Sequence, residues 1–169
     1  MNYLVIFGSG AIPLIVGFLW YNNSFGFGKA WMAEIGTTEE ALERNFNPLK
    51  IFGLTYLFGC MIAGALLQMT IHQTGLTSML MGVSGVEDKT TEVGKAVDFL
   101  MTNYGQNFRT FKHGALHGTI YAVFLVLPVI GITALFERRS FKYIFLHFGF
   151  FAITLALMGG VVCQFMKLG

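Results

Sequence analysis

Four apolar stretches constrain this sequence more than any other feature, because each is long enough to cross a lipid bilayer as a helix. They cover residues 3–21, 51–71, 114–136 and 143–166, and they contain no Asp, Glu, Lys or Arg. The strands of a membrane β-barrel would be shorter and would alternate polar with apolar residues, which these stretches do not. The sequence therefore predicts an all-α, polytopic membrane protein of one domain with four transmembrane helices.

The composition agrees with this fold class. Hydrophobic residues make up 54% of the 169 positions. Charged residues make up 12%, which is about half of the share in a soluble domain. The net charge of +2 is too small to indicate binding to DNA or RNA, so we expect no nucleic-acid partner. The two cysteines, Cys60 and Cys163, lie inside apolar stretches, and we interpret them as small buried hydrophobic residues.

Capping patterns predict where some of the helices begin. Asn47 followed by Pro48 is a favourable start for the second stretch, because the asparagine side chain caps the helix and proline fits its first turn. Thr37 and Glu40 have the spacing of a capping box, which predicts a short helix after Gly36.

A further helix is predicted in the loop between the second and third stretches. Five residues there keep helical spacing, namely Val93, Val97, Leu100, Met101 and Tyr104. Gly105 then ends the pattern. The segment is too short to cross the bilayer, so we predict an amphipathic helix that lies on the membrane surface or caps the bundle.

Proline residues predict irregular geometry within two of the long stretches. Pro13 lies in the first stretch and Pro128 in the third. Proline has no backbone N–H and collides with the preceding turn, so we expect a kink at each position.

Four crossings place both termini on one face of the membrane, which we call side A, together with the loop 72–112. Side B holds the connection around Lys29 and the turn 137–142. Basic residues are nearly balanced between the sides, but those of side B lie nearer to the helix ends. The positive-inside rule then predicts that side B is cytoplasmic and that the termini are not.

Histidines on side A form the first candidate site. His113 and His117 are four residues apart and so share a helix face, and His72 ends the second stretch on the same side. Imidazoles in this arrangement can share a metal ion, or each can bind a haem or a polar lipid headgroup. The alternative is that they cap the helix or bond to a neighbouring helix. His147 enters the membrane from side B, which argues against a haem held between it and His117.

A second candidate site lies on side B, where aromatic and charged residues could form a pocket for an anionic lipid headgroup. Its members are Trp20, Tyr21, Lys29, Trp31, Glu137, Arg138 and Arg139. The alternative interpretation is an interfacial aromatic belt with a basic turn that only sets the topology.

Small residues at four-residue spacing predict close helix packing. The rows are Gly114 with Gly118, Ala152 with Ala156 and Gly160, and Cys60 with Gly64. Such rows serve contacts within one chain or contacts in a homo-oligomer, and the sequence leaves both open.

Several segments carry a resemblance to a known family. They are Trp20-Tyr21 with FGKAWM at 27–32, HGALHG at 113–118, LFERRSFK at 135–142 and LALMGG at 155–160. These segments resemble a family of small bacterial and fungal membrane proteins that is catalogued only as a domain of unknown function. The resemblance implies a four-helix membrane fold and brings no activity, substrate or catalytic residue. We expect the bacterial inner, or cytoplasmic, membrane as the location.

Three functions fit these features. The first is a non-enzymatic protein that binds lipid or a partner as a homo-oligomer and needs no cofactor, since the sequence has packing rows but no familiar catalytic motif. The second is a small transporter or channel formed by oligomerisation, although no stretch carries the ionisable residue of a proton relay. The third is a metal- or haem-binding protein that uses His113 and His117.

Overall fold

The computed structural model describes residues 2–44 and 46–167, and about 75% of it is helical. In chain order the helices are α1 (Leu4–Gly10), α2 (Ile12–Trp20), α3 (Gly28–Ile35), α4 (Glu39–Arg44), α5 (Pro48–Thr70), α6 (Gln73–Met79), α7 (Glu92–Tyr104), α8 (Phe111–Tyr121), α9 (Leu127–Phe136) and α10 (Phe141–Phe165). A π-helical turn, Ala122–Val126, joins α8 to α9 without a break. The prediction of an all-α fold is confirmed.

Three helices are long and apolar enough to cross a membrane. They are α5 with 23 residues, the continuous α8–α9 rod (Phe111–Phe136) with 26, and α10 with 25. The first stretch is helical too, but Leu4–Trp20 is a shorter apolar segment, about 25 Å long at 1.5 Å per residue.

The outer surface of these helices is strongly apolar. Phe124 is 76% exposed and Phe136 is 87% exposed, although both are large hydrophobic residues. Exposing apolar area to water costs about 25 cal/mol per Å². Lipid removes this cost, so the exposed phenylalanines indicate a surface that faces a membrane.

Glycine residues bring α8 and α10 into backbone contact. A Cβ atom on Gly114 would overlap the carbonyl oxygen of Gly159, and one on Gly118 would overlap that of Leu155. Only hydrogen fits at these positions, so the helices approach more closely than side chains would allow. The predicted packing row Gly114–Gly118 is therefore used inside the chain.

The first stretch packs against α5 in the same way. A Cβ atom on Gly59 would overlap the carbonyl oxygen of Gly10, and one on Gly10 would overlap the Cys60 sulfur. Cys60 thus contributes to helix packing as a small residue, although it is only partly buried.

Both predicted proline kinks correspond to irregular backbone. The first stretch breaks into α1 and α2 at Ala11, two residues before Pro13. The π-helical turn lies immediately before α9, whose second residue is Pro128. A wider turn accommodates the missing donor and the bulk of the proline ring.

The buried core lies in the half of the bundle nearer to side A. Its fully buried members include Ala63, Ile71, Met158 and Val162, which join α5 to α10. Arg109 closes this end, because its Nε donates to the Cys163 carbonyl at 2.8 Å and its Nη2 donates to the Met166 carbonyl. These bonds satisfy carbonyl groups at the end of α10 that have no partner within the helix.

The connections between the long helices are themselves helical. The short helix predicted after Gly36 is α4, but its cap is Thr38, whose Oγ1 accepts a hydrogen bond from the Ala41 N–H at 3.3 Å. Thr37, the predicted cap, lies one residue too early. The cap predicted at Asn47 is confirmed, since its Oδ1 accepts a hydrogen bond from the Lys50 N–H at 3.0 Å.

The helix predicted in the second loop is α7. Thr91 caps its first turn, and it ends at Tyr104, immediately before Gly105. Val97 and Met101 are partly buried, whereas Leu100 and Tyr104 of the same predicted face are exposed. Its position on a membrane surface stays a prediction.

Candidate functional sites

Three of the four histidines meet at the side A end of the bundle. His113 and His117 lie one turn apart on α8, and His72 lies between α5 and α6. One ring nitrogen from each can be chosen so that all three lie within 4.8 Å of one another. The Nε2 atoms of His72 and His113 are 2.9 Å apart, so one ring donates a hydrogen bond to the other. We call these three residues the histidine cluster.

Local structure explains why these side chains converge. Helix α5 ends at Thr70, and Ile71, which is 1% exposed, anchors the chain in the core so that His72 follows at the rim. Thr110 starts α8 by accepting a hydrogen bond from the His113 N–H at 3.2 Å. The first turn of α8 therefore lies beside the last turn of α5.

Phe108 lies against the histidine cluster. Its ring centroid is 5.1 Å from that of His113 and 5.9 Å from that of His72. Phe108 adopts a left-handed backbone conformation with φ of 63°, which is unfavourable for a residue with a side chain. The neighbouring Arg109 is fixed to the end of α10, and these contacts hold Phe108 in place.

Gln73 forms hydrogen bonds with the segment that precedes α8. Its Nε2 donates to the carbonyl oxygens of Tyr104 at 3.2 Å and Asn107 at 2.9 Å. The chain that leads into α8 is thereby tied to the residue after His72. Sequence reasoning missed both Gln73 and Phe108, because no spacing distinguishes them from other loop residues.

The histidine cluster has the composition of a transition-metal site. Zinc binds imidazole nitrogen at about 2.0–2.1 Å, so two nitrogens in a tetrahedral site lie roughly 3.4 Å apart. The shortest separation in the cluster is 2.9 Å and the longest is within 4.8 Å, which brackets that spacing. Three protein ligands would leave a fourth position for water or another ligand.

An aromatic cluster occupies the opposite end of the bundle, on side B. Tyr21 Oη is 3.2 Å from His147 Nδ1, and the Tyr21 ring centroid lies 5.3 Å from Trp31. The Tyr143 ring centroid is 4.4 Å from that of His147, and Arg139 Cζ lies 5.5 Å from the Tyr143 ring centroid as a cation–π contact. We call Tyr21, Trp31, Tyr143 and His147 the aromatic cluster.

The structure brings the predicted side B residues together only in part. Tyr21 and Trp31 meet, and Arg139 reaches them through Tyr143 and His147. Tyr143 and His147 belong to this site although the sequence did not predict them there. Their signal was present, because they are four residues apart on α10, which is the spacing that identified His113 and His117.

The other predicted members of the side B pocket lie elsewhere. Trp20 is partly buried against α10, where its Nε1 donates to the Leu146 carbonyl at 3.1 Å. Glu137 pairs with the neighbouring Arg139 at 3.5 Å. Lys29 and Arg138 are exposed.

Glu34 ties α3 to the start of α10. The Ser140 hydroxyl donates to Glu34 Oε2, and Lys142 Nζ lies 3.4 Å from Oε1. The Ser140 hydrogen bond, with the help of Lys142, lowers the pKa of the Glu34 carboxyl below its ordinary value. Ser140 Oγ also accepts from the Tyr143 N–H at 3.0 Å and so caps α10.

Three helices that are long and apolar enough to cross a membrane, with an apolar outer surface, indicate a helical membrane protein. The chain belongs to the family described as protein of unknown function DUF1761, which matches residues 4–163. This confirms the resemblance found in the sequence. No curated protein and no solved structure matches the chain.

Proposed function

We propose that this protein is a four-span membrane protein that binds a divalent first-row transition-metal ion on side A through His72, His113 and His117. The convergence of three ring nitrogens within 4.8 Å carries the proposal. Imidazole is a favourable ligand for zinc, copper, iron and nickel.

The chemistry of the cluster supports metal binding over a purely structural role. One nitrogen of each ring can serve a shared centre, since the three nitrogens lie within 4.8 Å of one another. Neutral imidazole is the form that donates a lone pair to a metal. A bound cation would replace the hydrogen bond between His72 and His113 and make the three nitrogens ligands of one centre.

The position of the cluster suits uptake from the aqueous phase. His72 is exposed, while His113 and His117 are partly buried beside it. An ion can therefore reach the site at the end of the bundle without crossing the apolar interior. This arrangement supports a protein that binds a metal ion from the aqueous phase.

Haem is a poorer fit to the same residues. The two axial ligands of a haem iron approach from opposite faces of the porphyrin. His113 and His117 project from successive turns of one helix, and their ring centroids are 4.5 Å apart. His72 is equally close to both, with centroid distances of 4.9 and 5.1 Å, so the rings crowd one another.

The hydroxyl groups within the membrane helices argue against the channel alternative. Five threonine hydroxyls donate to the carbonyl four residues earlier in their own helix, namely Thr55, Thr70, Thr119, Thr133 and Thr154. Their donors are thus satisfied locally. These hydroxyl groups have hydrogen-bond partners in their own helices, so they do not indicate the polar lining of a channel.

We infer that Leu4–Trp20 is the fourth crossing. It lies antiparallel to α5, with Gly10 beside Gly59, and its end lies beside α10, where Tyr21 meets His147. A segment of about 25 Å is slightly shorter than ~30 Å of hydrocarbon, a mismatch that local thinning of the bilayer absorbs.

Two further expectations stay predictions. The first is that side B faces the cytoplasm. The second is homo-oligomerisation, for which Gly114 and Gly118 no longer provide support because both pack against α10.

The test is metal content of the full-length protein purified in mild detergent. We expect one zinc ion per chain, measured by native mass spectrometry and elemental analysis. Other first-row metals are tested for comparison. His117→Ala should lower the affinity more than about 100-fold, because loss of even an outer partner of a ligand costs ~10–100-fold. His147→Ala is the matched control, since it removes a histidine from the other end of the bundle.

Cobalt gives an independent readout. Co²⁺ in a four-coordinate site with three imidazoles has intense visible absorption bands, which a weakly bound surface ion lacks. Equal metal content and equal spectra in wild type and His117→Ala would refute the proposal.

A further inference from the structure

A groove runs along the outside of the bundle, in the part of the molecule nearer to side B. Helices α2, α5 and α10 form its walls, and its volume is about 540 Å³. Tyr21 and Trp31 lie at one end, and Pro13 and Ile62 lie at the other. The groove therefore begins at the aromatic cluster and leads toward the middle of the membrane.

We propose that this groove binds one acyl chain of a phospholipid from the side B leaflet. Ile51 and Ile62 are the first and last residues that α5 contributes to the wall, and the helix rises about 16 Å between them. One leaflet contributes about 15 Å of hydrocarbon, which is half of the ~30 Å core. The groove thus matches the depth that an acyl chain occupies.

The walls of the groove suit a hydrocarbon chain. Phenylalanine, isoleucine, leucine and glycine make up most of the surface. Thr55 is the polar residue among the lining positions of α5, and its hydroxyl already donates to the Ile51 carbonyl at 2.7 Å. The groove therefore offers apolar area rather than unsatisfied donors, and a chain that fills it gains contacts with three helices at once.

The end of the groove suits the polar part of a phospholipid. Tyr21 and Trp31 are the residue types that lie at the level of the ester groups and headgroups in membrane proteins. Lys50 precedes the groove residue Ile51, and Lys29 lies two residues before Trp31. Both lysines are exposed, and each can place its ammonium group near a lipid phosphate.

A pair of glycine substitutions tests the proposal. A Cβ atom on Gly17 would lie 3.7 Å from Phe150 Cε2, which is an ordinary contact, so Gly17→Leu extends into the groove without striking the backbone. Gly53→Leu is the control. It makes the same change on α5, at a position where a Cβ atom meets nothing within 4 Å.

The measurement is native mass spectrometry of the full-length protein after extensive detergent exchange, with extraction and identification of the retained lipid. We expect about one phospholipid per wild-type chain and the same in Gly53→Leu. Gly17→Leu should retain at least about tenfold less, which corresponds to a loss of ~1.4 kcal/mol in binding free energy. Metal content should not change, because the groove and the histidine cluster lie at different ends.

Wild-type protein provides a second measurement that does not depend on how a variant folds. A phospholipid with a photoreactive diazirine at the chain terminus should label peptides that contain Pro13 and Ile62. A diazirine beside the ester should label those with Tyr21 and Trp31. Equal lipid retention in Gly17→Leu and wild type, labelling spread evenly over exposed helix faces, or retention of an isoprenoid quinone instead of phospholipid would each overturn the proposal.

Discussion

Histidine side chains have different neighbours at the two ends of the bundle. On side A, His72, His113 and His117 contact one another at the exposed rim. On side B, His147 is surrounded by tyrosines and accepts or donates one hydrogen bond, with Tyr21. Its Nε2 is buried and has no hydrogen-bond partner among the residues that the structure describes.

Both ends contain the same local pattern, a pair of ring side chains four residues apart on a long helix. His113 and His117 gain a third imidazole because α5 ends beside them. Tyr143 and His147 gain a phenol because α2 ends beside them. The helix that terminates alongside, and not the spacing itself, decides whether such a pair meets a third imidazole or a phenol.

The largest expected effect tests this contrast directly. His72→Ala removes the residue that α5 contributes, so the affinity for zinc should fall more than about 100-fold, while the unfolding free energy should change little. His147→Ala should leave zinc affinity unchanged. Isothermal titration in detergent measures both, and equal affinity in wild type and His72→Ala would show that α8 alone holds the ion.

Much of this contrast was predictable from the sequence, and topology explains why. Charge-free stretches of fixed length predict which helix ends share a side, so His72 could be placed with His113 and His117 before any contact was known. Asn47 and Gly105 predicted helix ends from purely local chemistry. The prediction of Thr37 as a cap was wrong by one residue, since the adjacent Thr38 offers the same hydroxyl and lies directly before α4.

The remaining contacts were beyond such reasoning. Tyr21 and His147 are 126 positions apart, and nothing periodic links them. Phe108 reaches the histidine cluster only because an irregular loop adopts a left-handed conformation. Contacts of this kind depend on the packing of helix ends in three dimensions, which local patterns do not specify.

A second prediction concerns the backbone contact between α8 and α10. Gly118→Ala places a methyl group against the backbone of Leu155, and a backbone cannot rotate away as a side chain can. We expect a loss of about 1–3 kcal/mol in the unfolding free energy. Gly131→Ala, where a Cβ atom meets nothing within 4 Å, should be neutral or slightly stabilising. Thermal unfolding in a single detergent compares the two variants. Equal unfolding midpoints for Gly118→Ala and Gly131→Ala would contradict the backbone contact between α8 and α10.

A third prediction weakens the side B end alone. Tyr21→Phe removes the hydroxyl that bonds to His147 and leaves the aromatic packing with Trp31 in place. A hydrogen bond of this kind contributes about 0.5–1.5 kcal/mol, and we expect a loss in that range. Zinc affinity should not change, and a change would mean that the two ends are coupled through α10. Trp31→Phe serves as a control that alters the same cluster without touching the hydrogen bond.

The smallest expected effect is a pH dependence that belongs to side B. Ser140 and Lys142 stabilise the ionised form of Glu34, so the pKa of its carboxyl is lower in the folded protein than in the unfolded chain. Stability from this group is fully present above the unfolded value of about 4.3 and is lost as the pH falls through the folded pKa. Glu34→Gln should therefore flatten the decline of the unfolding free energy in that acidic range. Parallel curves for wild type and Glu34→Gln would show that the link between α3 and α10 contributes nothing to stability.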